Sequence, residues 1–329
     1  MIFPYLSGII DLAKAPFTYF LVFLNILVFT ATYPTFVKAD RQLDALLEND
    51  TFLETQGAAF ATMITREPQL FTPILRDLAT NSMKPDFDSR QMLGTLALRN
   101  PHFMERAETY NFGGDQVALD AWKKKFTELK ELQQRHPSYR WGVSRLKNNG
   151  VQWISYQFAH GGWSHLFWNT LFLILFGCFI EVTLGSSFVA IAYVGGGLTG
   201  AAFFSWLSGI SSSPLVGASA AVSALLSLVA FSHLRKREIR FFYWLMPIKG
   251  YYGFILLPGW VLLIVSLLPD VSGYLAASQE FGSVAYSAHM GGAVFGALMA
   301  CFLRFGILKL ETTEEEEDFE DRDEDRRAS

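Results

Sequence analysis

Four polar side chains interrupt segments of this chain that are otherwise strongly apolar. His165 and Asn169 lie in one such segment, Ser219 begins a second, and His289 lies in a third. Polar groups of this kind are costly inside a membrane, so their presence in apolar segments indicates a function. His165 and Asn169 are four residues apart, so they would share one face of a helix.

These residue types match the chemistry of acyl transfer to a serine. A serine nucleophile needs a base within hydrogen-bond reach, usually a histidine, and we predict that His289 serves Ser219. The reaction also needs donors directed at the developing oxyanion; the side chains of His165 and Asn169 and the backbone amide of Ser219 could supply them. No aspartate or glutamate falls in a predicted spanning helix near this depth. We therefore expect a Ser–His dyad without the orienting carboxylate of a triad.

Each of these features also has a simpler interpretation. Ser219, two residues after Gly217, could serve only as a helix N-cap, and the G-x-x-x-G pair of Gly292 and Gly296 could serve only in helix packing. His289 lies three residues before that pair. If the pair packs on the small residues that follow Ser219, the same packing brings His289 to the serine.

The elements that must position these residues are apolar runs long enough to cross a membrane. Of the 329 residues, 51% are hydrophobic and 18% charged, against about 25% charged in ordinary soluble domains. Apolar runs of about 17–25 residues are typical of transmembrane helices; the chain holds six, at approximately 17–35, 162–182, 187–208, 217–234, 252–269 and 284–305. We predict an all-α polytopic membrane protein, a bundle of six transmembrane helices, with the polar residues at similar depth.

Basic residues in the short loops predict the orientation of this bundle. The loops at 209–216 and 270–283 hold no lysine or arginine, whereas the loop after the fourth run holds Arg235, Lys236, Arg237, Arg240 and Lys249. Loops rich in lysine and arginine stay in the cytoplasm. We expect cytoplasmic termini and a site near the outer membrane face, and the plasma (inner) membrane of a bacterium is the expected location.

The polar segments divide the chain into four parts. Residues 1–36 hold the N-terminal segment and the first span, residues 37–140 a mostly helical extracytoplasmic insertion, and residues 141–306 the membrane core with helices two to six. Residues 307–329 form an acidic tail that we expect to be disordered in the cytoplasm. In the insertion, three- and four-residue spacing predicts an amphipathic helix with Val117, Leu119, Trp122, Phe126 and Leu129 on its apolar face.

Neither a cofactor nor a metal is expected. The two cysteines, Cys178 and Cys301, lie far apart in apolar runs, without the spacing of a metal site or of a disulfide framework. No basic cluster interleaved with aromatic residues indicates nucleic-acid binding.

Three segments resemble the rhomboid family of intramembrane serine proteases. The segment "FAHGGWSHLFWNTLFLILFGCFIEVTLGSS" resembles the family's H-x(4)-H-x(3)-N helix with its G-x(3)-E and L-G-S ending. The segment "GASAAVSALL" resembles its G-x-S nucleophile turn, and "AHMGGAVFGALMA" its H-x-x-G-x-x-x-G helix. Order and spacing agree over roughly residues 141–306. The positions that match the family's motifs are His160, His165, Asn169, Gly217, Ser219, His289, Gly292 and Gly296.

The resemblance implies a six-helix bundle with a water-accessible cavity. Ser219 would attack a peptide bond in or beside the transmembrane segment of a substrate, with His289 as the base. His165, Asn169 and the Ser219 amide would bind the oxyanion, and His160 would shape the site.

Two departures from the family pattern bear on this assignment. The Trp-Arg pair that many members carry before the first histidine is Val151-Gln152 here. Some members place an aromatic residue against the catalytic histidine where this chain has Ser223. Another group must then hold His289 in orientation.

The sequence thus predicts an intramembrane serine endopeptidase that acts on membrane proteins with a transmembrane segment, within the lipid bilayer. The alternative is a catalytically inactive rhomboid-like protein that binds membrane clients. A channel or transporter would need polar residues through the full depth of the bilayer, whereas here they cluster on one side.

Overall fold

The structure is a computed structural model, and it describes residues 2–4, 13–82, 87–144, 150–207, 213–232, 238–244, 252–258, 260–276 and 285–304. The predicted acidic tail and most of the basic loop lie outside these residues. The strands are β1 (Ile2–Pro4), β2 (Glu238–Trp244) and β3 (Tyr252–Pro258). The helices, in chain order, are α1 (Pro16–Leu47), α2 (Asp50–Arg66), α3 (Pro73–Ser82), α4 (Phe87–Ala97), α5 (Pro101–Arg106), α6 (Gln116–Arg135), α7 (Pro137–Trp141), α8 (Gln152–Ser155), α9 (Trp163–Leu184), α10 (Ser186–Leu207), α11 (Ser219–Ser232), α12 (Trp260–Ala276) and α13 (Ala285–Arg304).

Long apolar helices dominate the fold. Within the described ranges, α1, α9, α10 and α13 carry windows long and apolar enough to cross a membrane, and α11 and part of α12 are shorter apolar helices. The chain is therefore a multi-pass membrane protein. The second, third, fourth and sixth predicted runs match α9, α10, α11 and α13 to within two residues at each end.

The fifth predicted run is wrong in its position and partly in its type. Residues 252–258 form β3, and the helix starts only at Trp260 and continues to Ala276. The strand belongs to a three-stranded antiparallel sheet in which β2 lies between β1 and β3, with Phe241 opposite Ile255. The predominantly helical class is confirmed, whereas this sheet is absent from the predicted fold. A short apolar run such as YGFILLP cannot be assigned to strand or helix by its hydrophobicity alone.

The two largest apolar cores organise the described residues. One lies among the membrane helices and includes Phe176, Tyr193 and Leu225. The other lies among α2 to α6 and is built around Phe60 and Phe103. The helix α1 runs from the first into the second, straight through the predicted boundary at residue 36.

The amphipathic helix predicted in the insertion is α6, which contributes to the second core. Leu119, Trp122, Phe126 and Leu129 are buried as expected. Val117 is 81% exposed, which corrects the prediction for that residue. It lies at the start of α6, just after the N-cap Asp115, where the helix has yet to reach the core.

A buried carboxylate attaches the start of α1 to α9. Glu181, near the end of α9, accepts hydrogen bonds from the backbone amides of Phe17 (2.9 Å) and Thr18 (2.7 Å) and from the Thr18 hydroxyl (2.6 Å). The hydroxyl of Ser186 donates a further bond of 2.7 Å. The first amides of a helix lack partners within the helix, and a negative charge there is favourable. Glu181 therefore both caps α1 and fixes it against α9 and α10.

Small residues let α11 and α13 touch backbone to backbone. A Cβ placed on Gly292 would overlap the carbonyl oxygen of Ala220, and one on Gly296 would overlap that of Ala224. The helix α10 joins the same contact, since a Cβ on Gly200 would overlap the Ala220 side chain. The predicted packing role of the G-x-x-x-G pair is thus present in the fold.

This contact predicts the effect of one added methyl group. Gly296→Ala should destabilise the protein by about 1–3 kcal/mol, because backbone cannot yield as a side chain can. The measurement is thermal unfolding in detergent micelles. Val294→Leu, on the same helix at a side chain 44% exposed, adds one carbon without a clash and serves as the control. Equal stability of the two variants would contradict the packing described.

The cap on α1 predicts a second loss of stability. Glu181→Gln replaces one accepting oxygen by an amide that cannot accept, so at least one donor of α1 loses its buried partner, at about 1–3 kcal/mol. A double-mutant cycle with Thr18→Val measures the coupling by thermal unfolding. Strict additivity of the two substitutions would show that the bond between these side chains contributes nothing.

Candidate active site

The turn that leads into α11 is held by backbone hydrogen bonds. Leu215 and Val143 form an antiparallel pair, with N···O distances of 2.7 and 3.1 Å. The next link is the amide of Gly217, which donates to the carbonyl oxygen of Tyr156 at 2.9 Å. Gly217 has φ of +109°, a conformation that L side chains rarely adopt. The helix α11 then begins at Ser219, so the fold sets the serine at a helix start, directly after a constrained turn.

Two polar residues of α9, His165 and Asn169, pack directly against this turn. A Cβ placed on Gly217 would lie 2.6 Å from Nε2 of His165 and 3.5 Å from Nδ2 of Asn169. A side chain at position 217 would therefore occupy the space beside both groups. The structure brings His165, Asn169 and the turn before Ser219 together, as the shared helix face and the depth of the residues predict.

Local hydrogen bonds orient these two side chains. The amide of Gly161 donates to Nδ1 of His165 at 3.4 Å, so a neutral ring carries its proton on Nε2, the atom nearest the turn. Asn169 Nδ2 donates to the His165 carbonyl oxygen at 2.9 Å, which uses one of its two hydrogens. Each side chain thus keeps one N–H that these bonds do not use, on a nitrogen close to Gly217.

His160 packs against the His165 ring. It is 5% exposed, and its ring packs edge-on against His165 with centroids 5.3 Å apart. Burial, reinforced by the His165 ring, lowers the pKa of His160 to about 4, so it is neutral at physiological pH. Its Nδ1 lies 3.3 Å from the Phe158 carbonyl oxygen. His160 is thus a buried packing partner of the His165 ring.

His289 lies on α13 near the level of the turn. Three residues along α13, Gly292 contacts Ala220, the neighbour of Ser219. Among the described residues, no hydrogen bond joins Ser219 and His289. Bonds between catalytic groups are often long in the absence of substrate. The helices of the two predicted partners are in contact, and the bond between their side chains is not formed.

The structure corrects the prediction that no carboxylate accompanies the histidine. Nδ1 of His289 lies 2.9 Å from Oδ1 of Asp270 on α12, with side chains 22% and 14% exposed. The fifth predicted span ends at residue 269, one residue short of this aspartate. The signal that could have found it is the aspartate in "VSLLPDVSG", a charged residue inside an apolar pattern.

Tyr156 is a second residue that sequence reasoning missed. Its side chain is fully buried, and its hydroxyl donates to the Gly197 carbonyl oxygen at 2.7 Å. Its own carbonyl oxygen accepts from Gly217. Tyr156 therefore ties the turn before Ser219 to α10. An isolated tyrosine before a spanning helix gives no such signal in the sequence.

Comparison with known proteins agrees with this architecture. The family model for the rhomboid domain matches residues 147–305, which include each of the residues predicted for the site. Rhomboid protein 1, mitochondrial, from Saccharomyces cerevisiae is 27% identical over 158 residues, which cover 47% of this chain and 42% of the yeast protein. The chain thus matches less than half the length of that relative. Residues 147–305 of this chain thus match the rhomboid domain.

Proposed function

We propose that this protein is an intramembrane serine endopeptidase in which Ser219 is the nucleophile and His289 the base. The observation that carries the proposal is the packing of the Gly217 turn on His165 and Asn169. It gathers a serine at a helix start and two side-chain N–H donors in one place. Few arrangements other than an acyl-transfer site need a nucleophile and such donors together.

The proposed reaction uses each group at a stated atom. The Ser219 hydroxyl attacks the carbonyl carbon of the scissile peptide bond and gives its proton to Nε2 of His289. The negative charge that develops on the carbonyl oxygen is met by Nε2–H of His165, Nδ2–H of Asn169 and the Ser219 amide. Donors fixed in advance in a site poor in water stabilise such a charge strongly.

Exposed aromatic residues support a site close to a membrane surface. Trp163 and Trp168 on the first turns of α9 are 55% and 41% exposed, and Trp206 at the end of α10 is 75% exposed. Because α9 and α10 are joined at Gly185 and run in opposite directions, the three indoles lie at the same end of the bundle as the Gly217 turn. Tryptophan is enriched at membrane–water interfaces. The substrate class that fits is a membrane protein cleaved in or beside its transmembrane segment.

The basic loop after α11 supports the orientation of the site. Under the positive-inside rule that loop is cytoplasmic, so the Gly217 turn faces the outer side and residues 37–140 form an extracytoplasmic insertion in the rhomboid architecture. We place the protein in a bacterial plasma membrane with cytoplasmic termini. The yeast relative carries a mitochondrial name, so fractionation of the native cells is the direct test of location.

The second candidate function is a rhomboid-like protein that binds membrane clients without cleaving them. The missing hydrogen bond between Ser219 and His289 is the observation that favours it. The presence of a serine, a histidine and two oriented donors favours the protease, because a binding protein has no need of them together.

Labelling with a fluorophosphonate distinguishes the two functions. Wild-type protein should be labelled at Ser219, Ser219→Ala should not be labelled, and His289→Ala should be labelled at least about 10²-fold more slowly, because the hydroxyl then lacks its base. Ser223→Ala, one turn further along α11, is the matched control and should label at the wild-type rate. Absence of label from wild type, or equal labelling of Ser219→Ala, would favour the client-binding function.

The donors predict a separate loss of activity. His165→Ala and Asn169→Ala should each lower turnover of a transmembrane substrate by about 10²–10³-fold, because each removes one oxyanion donor. The double variant should lose less than the product of the two, since the donors act on one charge. Thr170→Val on the same helix, whose hydroxyl donates to the carbonyl oxygens of Leu166 and Phe167, is the control. Unchanged turnover in both single variants would exclude this oxyanion site.

A further inference from the structure

The hydrogen bond between Asp270 and His289 joins two neighbouring apolar helices. Asp270 lies in α12 and His289 in the second turn of α13, and the Nδ1···Oδ1 distance is 2.9 Å. Both side chains are largely removed from solvent. The contact links residues 19 apart in sequence, with the segment between the two helices lying outside the described residues.

A carboxylate in this position needs a compensating partner. Transfer of an ionised carboxylate into apolar surroundings costs several kcal/mol unless it is paired and hydrogen-bonded. Within the part of the chain that the structure describes, the hydrogen-bond partner of Asp270 is His289. An ionised carboxylate at this position therefore costs free energy, and among the described residues the hydrogen bond to His289 offsets that cost.

The geometry also decides which ring nitrogen remains for the serine. An ionised carboxylate only accepts hydrogen bonds, so Nδ1 of His289 must carry the proton of a neutral ring. Its lone pair is then on Nε2, the nitrogen on the far side of the ring from Asp270. A base for Ser219 needs that unprotonated nitrogen.

We propose that Asp270 is a positioning residue that completes a Ser219–His289–Asp270 triad; this rests on the proposed protease function. The Ser219 Oγ–H proton passes to Nε2 as the Oγ–C bond forms and the carbonyl π electrons move to oxygen. The imidazolium so formed faces the Asp270 carboxylate, which stabilises its charge and stays ionised. Collapse of the adduct breaks the C–N bond, and the proton moves from Nε2 to the leaving nitrogen. Water then attacks the acyl group by the same route and restores the Ser219 hydroxyl.

This assignment also explains which group orients His289, since Ser223 stands where some rhomboids have an aromatic residue. In the sequence, the position where some rhomboids place an aromatic residue against the histidine holds a serine. The ring of His289 is oriented instead by a hydrogen bond from the α12 side. A carboxylate orients the ring and selects its tautomer together, whereas an aromatic face offers no acceptor for Nδ1–H.

The competing interpretation is a structural tie that only holds α12 against α13. Both interpretations predict damage on removal of Asp270, so the test must separate chemistry from assembly. The saturation kinetics of fluorophosphonate labelling do this, because kinact reports the reactivity of Ser219 and KI reports the shape of the site. Small carboxylates can also replace a lost side chain in the space that it leaves.

The experiment compares Asp270→Ala, Asp270→Asn and wild type as the full chain in detergent micelles. We expect kinact to fall by about 10²- to 10⁴-fold in both variants, with KI within about twofold of wild type. Added formate should restore part of kinact in Asp270→Ala and none in Asp270→Asn, where the amide fills the space. Val271→Ala, the next residue on α12 and 40% exposed, should match wild type.

The outcomes separate this proposal from the protease assignment. Labelling of Asp270→Asn at the wild-type rate, while Ser219→Ala remains unlabelled, overturns the triad and leaves the protease standing. A raised KI identifies the structural tie and overturns the triad. A fall in melting temperature that parallels the loss of labelling, with no restoration by formate, does the same. Wild type that takes no label overturns both assignments. If Asp270→Ala fails to fold, the nearly isosteric Asp270→Asn decides the question.

Discussion

The close contact between α11 and α13 is the constraint on which the site depends. Gly292 and Gly296 lie against the backbone of Ala220 and Ala224, so the two helices approach more closely than side chains would allow. In a membrane, helices gain no hydrophobic free energy by leaving lipid, and close packing of small residues replaces it. This contact sets the distance from His289 to Ser219, and a single methyl group at the interface would change that distance.

Three polar residues of the membrane helices are each paired with a different part of the chain. Glu181 caps α1, Asn25 donates to the Tyr193 hydroxyl at 3.1 Å, and Asp270 pairs with His289. A polar group buried in apolar surroundings costs free energy unless it is hydrogen-bonded. The same bonds that satisfy these groups therefore lock the helices in one arrangement, and the Asp270 bond adds a chemical role to the structural one.

A single long helix connects the membrane helices with the second core. Along α1, Phe29 packs on Trp163 with ring centroids 4.8 Å apart, and Phe36 packs on His136 at the same distance. His136 Nε2 lies 3.4 Å from an Asp40 oxygen. Burial nevertheless lowers the pKa of His136, because the Asp40 carboxylate offsets only part of the effect of burial. The ring that contacts α1 is therefore neutral. The residues around His136 are thus held against α1 mainly by apolar packing.

The sequence by itself determined what depends on neighbours along the chain. Hydrophobic runs located four spans within two residues, and the i, i+4 spacing placed His165 and Asn169 on one face. It misjudged residues 252–258, because a short apolar run lacks the length that distinguishes helix from strand. Only the tertiary structure decided that Asp270 reaches His289, that Glu181 reaches Thr18 and that Tyr156 holds Gly217. These pairs join separate segments, and their distances follow from helix packing, which no local pattern encodes.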